Sequence, residues 1–152
     1  MKLIIASLYG NPIGQHHLDY LEAASALGDK LICVVNNDTQ VRLKNSIPFQ
    51  SCSERLRIIQ ALKCVNIAWR SQDRDLTICE TLKTIWELNH NKYHIIFTNG
   101  GNVADCSERE ICEKLGIELV FGVGGTTKTG ASSQLIENAA KEWIKRNDEK
   151  TN

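Results

Sequence analysis

At 152 residues, 42% hydrophobic and 24% charged, the chain has the make-up of an ordinary globular domain with room for one good core. Its 18 basic and 18 acidic side chains cancel, which argues against generic nucleic-acid binding by bulk charge. No apolar run approaches the roughly 18 residues of a membrane span, and Lys2 followed by a strand-like run does not read as a signal peptide.

Ile4, Ile5 and Ala6 predict a strand over about 2–8, buried on both faces. Gly10, Asn11, Pro12, Ile13 and Gly14 break it. Leu18, Leu21, Ala24, Ser25 and Leu27 then recur near helical spacing, giving a helix over about 17–28 closed by Gly28-Asp29. LICVVN, 31–36, is a second strand. Asn36-Asn37-Asp38 signals a turn, and 39–50 reads as irregular, with Pro48 restricting the backbone. Ser51 or Ser53 can cap a helix that runs to about Lys63 and buries Leu56, Ile59 and Leu62. VNIAW, 65–69, is the third strand and SQDRD, 71–75, a polar loop. A helix over about 76–89 carries Ile78, Leu82, Ile85 and Leu88 on one side. HIIFT, 94–98, is the fourth strand, turned by Asn99-Gly100-Gly101-Asn102. Ser107 or Asp105 can cap a helix over about 107–115, ended by Gly116. ELVFGV, 118–123, is the fifth strand. Gly124-Gly125 opens a loop to about Gly130, and a last helix spans Ser132 to about Arg146. Residues 1–146 therefore read as one domain, and 147–152 as a frayed polar tail.

Strands alternating with helices imply an α/β fold, a parallel sheet with helices on both faces. Such sheets bind ligands at the carboxyl ends of their strands, near a topological switch point. That rule selects the loops 9–16, 36–50, 70–75, 99–105 and 123–132. His16 and His17 lie where the first loop meets its helix, an N-terminus suited to an anion. Phosphate handling and a tight turn with two surface histidines are both open readings of this junction. The six cysteines, Cys33, Cys52, Cys64, Cys79, Cys106 and Cys112, form no C-x-x-C pair or zinc-finger spacing. They read as reduced thiols of a cytoplasmic protein, with disulfides or a metal site as the alternative. Trp69, Trp86 and Trp143 are expected in core or subunit packing rather than base stacking.

There is no G-x-x-x-x-G-K-[ST] loop and no G-x-G-x-x-G after the first strand, so a P-loop or a dinucleotide-binding domain is not expected. LYGNPIGQHHLDYLEAASALGDKLICVVNND resembles the start of the cytidylyltransferase-like nucleotidyltransferases. These include glycerol-phosphate cytidylyltransferases and heptose-phosphate adenylyltransferases. Their opening pattern is G-x-F-D/N-P-x-H-x-G-H, followed by a helix like L-x-Y-L-E-A-A-x-x-L-G-D. LKNSIPFQSCSERLRIIQALKCVN is similar to the family's L-K-x-x-x-P-F and E-R-x-x-I-x-x-A-L-x-x-V-D segment. NGGN, 99–102, resembles the G-G-D loop of some members, and GGTTKTGASSQLIENA resembles the closing basic residue and Ser/Thr run. The likeness covers nearly the whole chain in order and spacing.

The resemblance implies a five-stranded sheet in the order 3-2-1-4-5. It also implies transfer of CMP or AMP from CTP or ATP to a sugar- or polyol-phosphate, with pyrophosphate release. Mg²⁺ would be carried by the nucleotide, with no protein metal site, and the partners are small molecules and a second copy of the chain as a homodimer. The catalytic loop departs from the pattern: G-Q-H-H stands for H-x-G-H, so Gly14 takes the first histidine position and His16 the glycine position. The resemblance gives His17, Lys44 and Lys128 catalytic roles. It gives nucleotide contacts to Tyr9, Gly10, Asn11, His16, His17, Asn99, Gly100, Gly101, Ser132 and Ser133. Each has a plainer reading: His16 facing solvent, His17 or Ser132 as a cap, Lys44 solvated, Gly100-Gly101 a bare turn. Arg55 reads equally as a family residue or as a partner of Glu54 or a neighbouring subunit. Asn11 and Asn102 are neutral where many members carry acids. The G-Q-H-H loop, Asn102 and a Ser run thinned by Gly130 and Ala131, which stand where relatives are usually polar, support the alternative of a catalytically impaired nucleotide-binding or assembly protein.

Overall fold

The computed structural model describes residues 1–125 and 130–151. Five strands, β1 (Lys2–Leu8), β2 (Lys30–Val35), β3 (Ile67–Arg70), β4 (His94–Gly100) and β5 (Glu118–Val123), pair in parallel in the order β3-β2-β1-β4-β5. Between and after them lie α1 (Gln15–Ser25), α2 (Asp38–Leu43), α3 (Cys52–Gln60), α4 (Cys79–Asn89), α5 (Arg109–Leu115) and α6 (Ser132–Thr151). The expected α/β class and strand order hold.

β1 sits at the centre, with Ile4 in register with Leu31 on one side and Ile96 on the other. Successive side chains of a strand point to opposite faces. Ile4, Ala6 and Leu8 therefore pack with Leu21 and Ala24 of α1 and Ile59 of α3, while Leu3 and Ile5 pack with Leu82 and Ile85 of α4 and Cys112 of α5. Two dry layers on one sheet explain why β1 and β2 read as unbroken apolar runs rather than alternating ones. The order of connections reverses between β1 and β4, and their carboxyl ends diverge there into separate loops.

Several boundaries differ from expectation. Residues 38–43 are helical, not irregular: Asn37 caps α2 by accepting from the Gln40 N–H at 3.0 Å, while Gln40 Oε1 accepts from the Asn37 N–H at 3.1 Å. This Asn-x-x-Gln pair is a reciprocal capping box, the signal missed in reading the segment as a turn. Ser51 caps α3 through the Glu54 N–H. α5 begins at Arg109 without a side-chain cap, and Asp105 instead accepts from the Cys106 N–H and pairs with Arg109. Gly116 ends α5 at φ 71°, the left-handed cap expected of it. α6 runs on to Thr151 with none of its described side chains buried. Trp69 and Trp86 pack against the second core layer, whereas Trp143 on α6 is 69% exposed and lies in neither core layer among the described residues. All six cysteines are free.

Candidate functional site

The start of α1 forms one wall of a crevice at the carboxyl ends of β1 and β4. Gly14 is the N-cap, its carbonyl accepting from the His17 and Leu18 N–H groups. Its own N–H donates to His17 Nδ1 at 2.9 Å. An accepting Nδ1 leaves the proton of the neutral ring on Nε2. Nε2 stands 3.5 Å from Ser132 Oγ, whose hydroxyl donates to the Pro12 carbonyl at 2.7 Å. Burial, then the neighbouring His16 and Lys44, lowers the His17 pKa to about 4, so the ring is a neutral donor at physiological pH. The His16 ring lies 3.9 Å from it, centroid to centroid.

Lys44 follows α2 at its C-cap, where the backbone turns through Asn45 at φ 57°. Its ammonium lies 4.4 Å from the centroid of the Tyr9 ring, an attractive placement for a cation over a π face. Two buried polar side chains hold this corner. Asn11 donates to the Ile47 carbonyl at 2.7 Å and accepts from the Phe49 N–H at 2.7 Å. Arg55, 1% exposed, donates to the carbonyls of Tyr9, Asn36 and Gln50 and pairs with Asp38 at 2.8 Å. Arg55 thus pairs with Asp38 within the chain rather than with Glu54 or a neighbouring subunit.

The floor comes from α1 and the ends of β4 and β5. The Tyr20 hydroxyl is bound to the carbonyl and hydroxyl of Thr98 at 2.9 and 3.0 Å. Glycines let backbone close on this ring and its helix. A Cβ on Gly100 would lie 3.1 Å from Tyr20 Cδ2, and one on Gly124, at φ 84°, would lie 3.2 Å from Tyr20 Cα.

The resulting cavity measures about 560 Å³. Tyr9, Asn11, His16, His17 and Lys44 line it, with Gly100, Gly101, Ser132 and Ser133. Gly10 does not. It is buried against Leu8 and Ile59 at φ 60°. Asn99 also lies outside the lining, at the irregularity of β4, with its buried Nδ2 unbonded. Lys128 lies outside the described residues. Asn102 is exposed and away from the cavity. The loop 70–75 contributes nothing to the lining, because β3 is the far edge strand. That loop is tied down by Asn37 and Gln40 instead, through the carbonyls of Ser71, Asp73, Asp75 and Thr77.

Tyr20, Asn45 and Ser46 line the cavity without having been singled out from the sequence. Tyr20 was open to detection, since it stands three and four residues after the two histidines on one helix face. Asn45 and Ser46 were not, because the loop's path depends on the α2 turn. Among the described residues, two helix starts, a neutral imidazole donor, hydroxyls and the exposed Lys44 ammonium face this cavity, groups whose chemistry suits an anion.

A family model described as Cytidylyltransferase-like matches residues 11–147. The chain is 30% identical over 146 residues to a FAD synthase of Methanocorpusculum labreanum, covering 93% of this chain and all of that protein. It is 27% identical over 138 residues to the bifunctional protein HldE of Hahella chejuensis, covering 85% of this chain but only 26% of that longer protein. Among solved structures, a lipopolysaccharide core biosynthesis protein from Thermoplasma volcanium superposes with a TM-score of 0.64 at 25% identity, covering 86% of this chain and 99% of that one. No described helix is long and apolar enough to cross a membrane. With fold, crevice and family match in agreement over nearly the whole chain, the protein belongs to the cytidylyltransferase-like family.

Proposed function

We propose that this chain transfers a nucleotidyl group from CTP or ATP to the phosphate of a small phosphorylated acceptor. An acceptor phosphate oxygen attacks the α-phosphorus, the bond from that phosphorus to the bridging oxygen breaks, and its electron pair leaves with pyrophosphate. No protein nucleophile is required. Catalysis consists of positioning and of neutralising charge on the phosphates. The Mg²⁺ arrives as part of the nucleotide substrate. In this reading the His17 Nε2–H donates to a phosphate oxygen and Lys44 offsets the triphosphate charge. Ser132 and Ser133 hold the tail at the start of α6, and Lys128 adds a second cation.

The observation that carries the reading is the convergence of His17, Lys44 and Ser132 on one crevice from three distant parts of the chain. Acceptors to be tried are sugar- and polyol-phosphates, together with FMN because of the FAD synthase relative. The test is pyrophosphate release from CTP or ATP with each acceptor. No release with any pair, from a chain that nucleotide still protects against heat, favours a nucleotide-binding or assembly protein. Asn11 supports that second reading: it is neutral, and its amide is engaged by the Ile47 and Phe49 backbone. A homodimer is proposed as the working unit, tested by light scattering at several concentrations.

A further inference from the structure

Tyr20 stands three residues after His17 in α1, so the two side chains share one face of the helix. Its hydroxyl lies 2.9 Å from the Thr98 carbonyl and 3.0 Å from Thr98 Oγ1, at the end of β4. Thr98 Oγ1 in turn donates to the Ile5 carbonyl of β1 at 3.0 Å. A threonine hydroxyl has a single hydrogen. With that hydrogen given to Ile5, Oγ1 accepts from Tyr20, and the tyrosine proton faces two acceptors on one residue. Burial pushes the Tyr20 pKa far above its usual value, so the donor stays protonated. Thr98 itself is 1% exposed, at the end of the apolar run Ile95-Ile96-Phe97. A valine would fill a similar volume there. The polar atom at this point is spent on joining α1, β4 and β1.

The same tyrosine sets the height of the crevice floor, because Gly100 closes on its ring and Gly124 on its Cα. Tyr20, His17, Gly100 and Gly124 all line the cavity. Leu21 and Ala24 seat α1 in the core by apolar contact, which is non-directional. A hydrogen bond adds direction, since it weakens steeply when its angle opens.

We propose that Tyr20, through its hydrogen bond to Thr98, is a positioning residue: it locks the first turns of α1 against the end of β4 and so fixes where the His17 donor points in the crevice. Tyr20 acts through His17 and touches no reacting atom. This rests on the reading of the crevice as a nucleotidyl-transfer site.

Tyr20→Phe keeps the ring beneath Gly100 and removes only the hydroxyl. It is expected to lower kcat for pyrophosphate release by about tenfold, within the range for a displaced catalytic group. The KM for CTP or ATP is expected to change by less than about threefold, since the loss falls on the transition state. In a His17→Asn background, where the donor is already gone, the same change is expected to cost less than about twofold further. A second measurement needs no turnover. The Gly14 amide is held by His17 Nδ1, and its hydrogen exchange is expected to speed up in Tyr20→Phe beyond the change at Ile32, a buried residue of β2 that reports global stability. A folded Tyr20→Phe with unchanged kcat overturns the proposal. So does an equal loss in both backgrounds, or Gly14 exchange that follows Ile32. If the natural chain turns over no acceptor, the reading of the crevice as a transfer site fails by itself, and Gly14 exchange still decides whether Tyr20 holds the His17 turn.

Discussion

Arg55 Nη1 donates to the carbonyl of Tyr9 at 2.6 Å, from a guanidinium sealed inside the protein. The same group reaches the carbonyls of Asn36 and Gln50 and the Asp38 carboxylate, so one side chain ties the ends of β1 and β2 to α3. Arg55→Met is expected to leave three carbonyls without their donor and to destabilise the fold by about 3–5 kcal/mol. Arg55→Lys is expected to recover little of this, since a point ammonium cannot reproduce the planar fork. Urea denaturation of the two variants against the natural chain measures both.

His17 makes the fold sensitive to acid. Burial above all holds its pKa at about 4, against about 6.5 in an unfolded chain. Between those values the unfolded state binds more protons, so stability rises with pH there. The contribution is full above about pH 6.5 and is lost as pH falls toward 4, by roughly 2–3 kcal/mol at most after allowance for solvent screening. His17→Asn keeps an acceptor for the Gly14 N–H and cannot titrate, so it is expected to flatten that slope. It lacks the Nε2 donor, and pyrophosphate release is expected to drop by on the order of 10²–10³. Denaturation midpoints from pH 4 to 7.5 and initial rates at pH 7.5 separate the two effects.

Asn11 is orientated by its partners: the oxygen faces the Phe49 N–H and the amide faces the Ile47 carbonyl. Asn11→Asp keeps the first bond and turns the second into an oxygen–oxygen contact. A destabilisation of about 1–3 kcal/mol is expected, largest above pH 5 where the carboxylate is charged. Thermal melts of the two proteins at pH 4.5 and pH 7.5 test the sign: a gap that widened toward acid would contradict the assigned orientation.

Lys44 is exposed, so its neutral replacement bears on binding more than on folding. Lys44→Met is expected to change stability by under about 1 kcal/mol, the worth of an exposed cation–π contact. Affinity for the triphosphate is expected to fall by about tenfold, with a smaller loss for the diphosphate, as befits a charge-assisted contact. Titration calorimetry with CTP and ATP, then with CDP and ADP, reads this out. Equal loss for all four would place the ammonium away from the phosphate tail.

Local pattern alone determined the element types: unbroken apolar runs gave β1 and β2, helical spacing gave α1 and α4, and Gly116 marked the end of α5. These are legible because periodicity and capping act over a few residues. The α2 helix shows the limit, since its Asn37–Gln40 box was present in the sequence and read as a turn. Family resemblance supplied the strand order and nine of the residues that line the crevice, but not their arrangement. Only the tertiary structure decided that Arg55 is an internal clamp, that Asn11 braces the 47–50 backbone, that the loop after β3 stays out of the crevice, and that Tyr20 ties α1 to the end of β4. The physical reason is distance along the chain. These contacts join segments tens of residues apart, or turn on the space left where two loops meet, and a one-dimensional pattern carries neither.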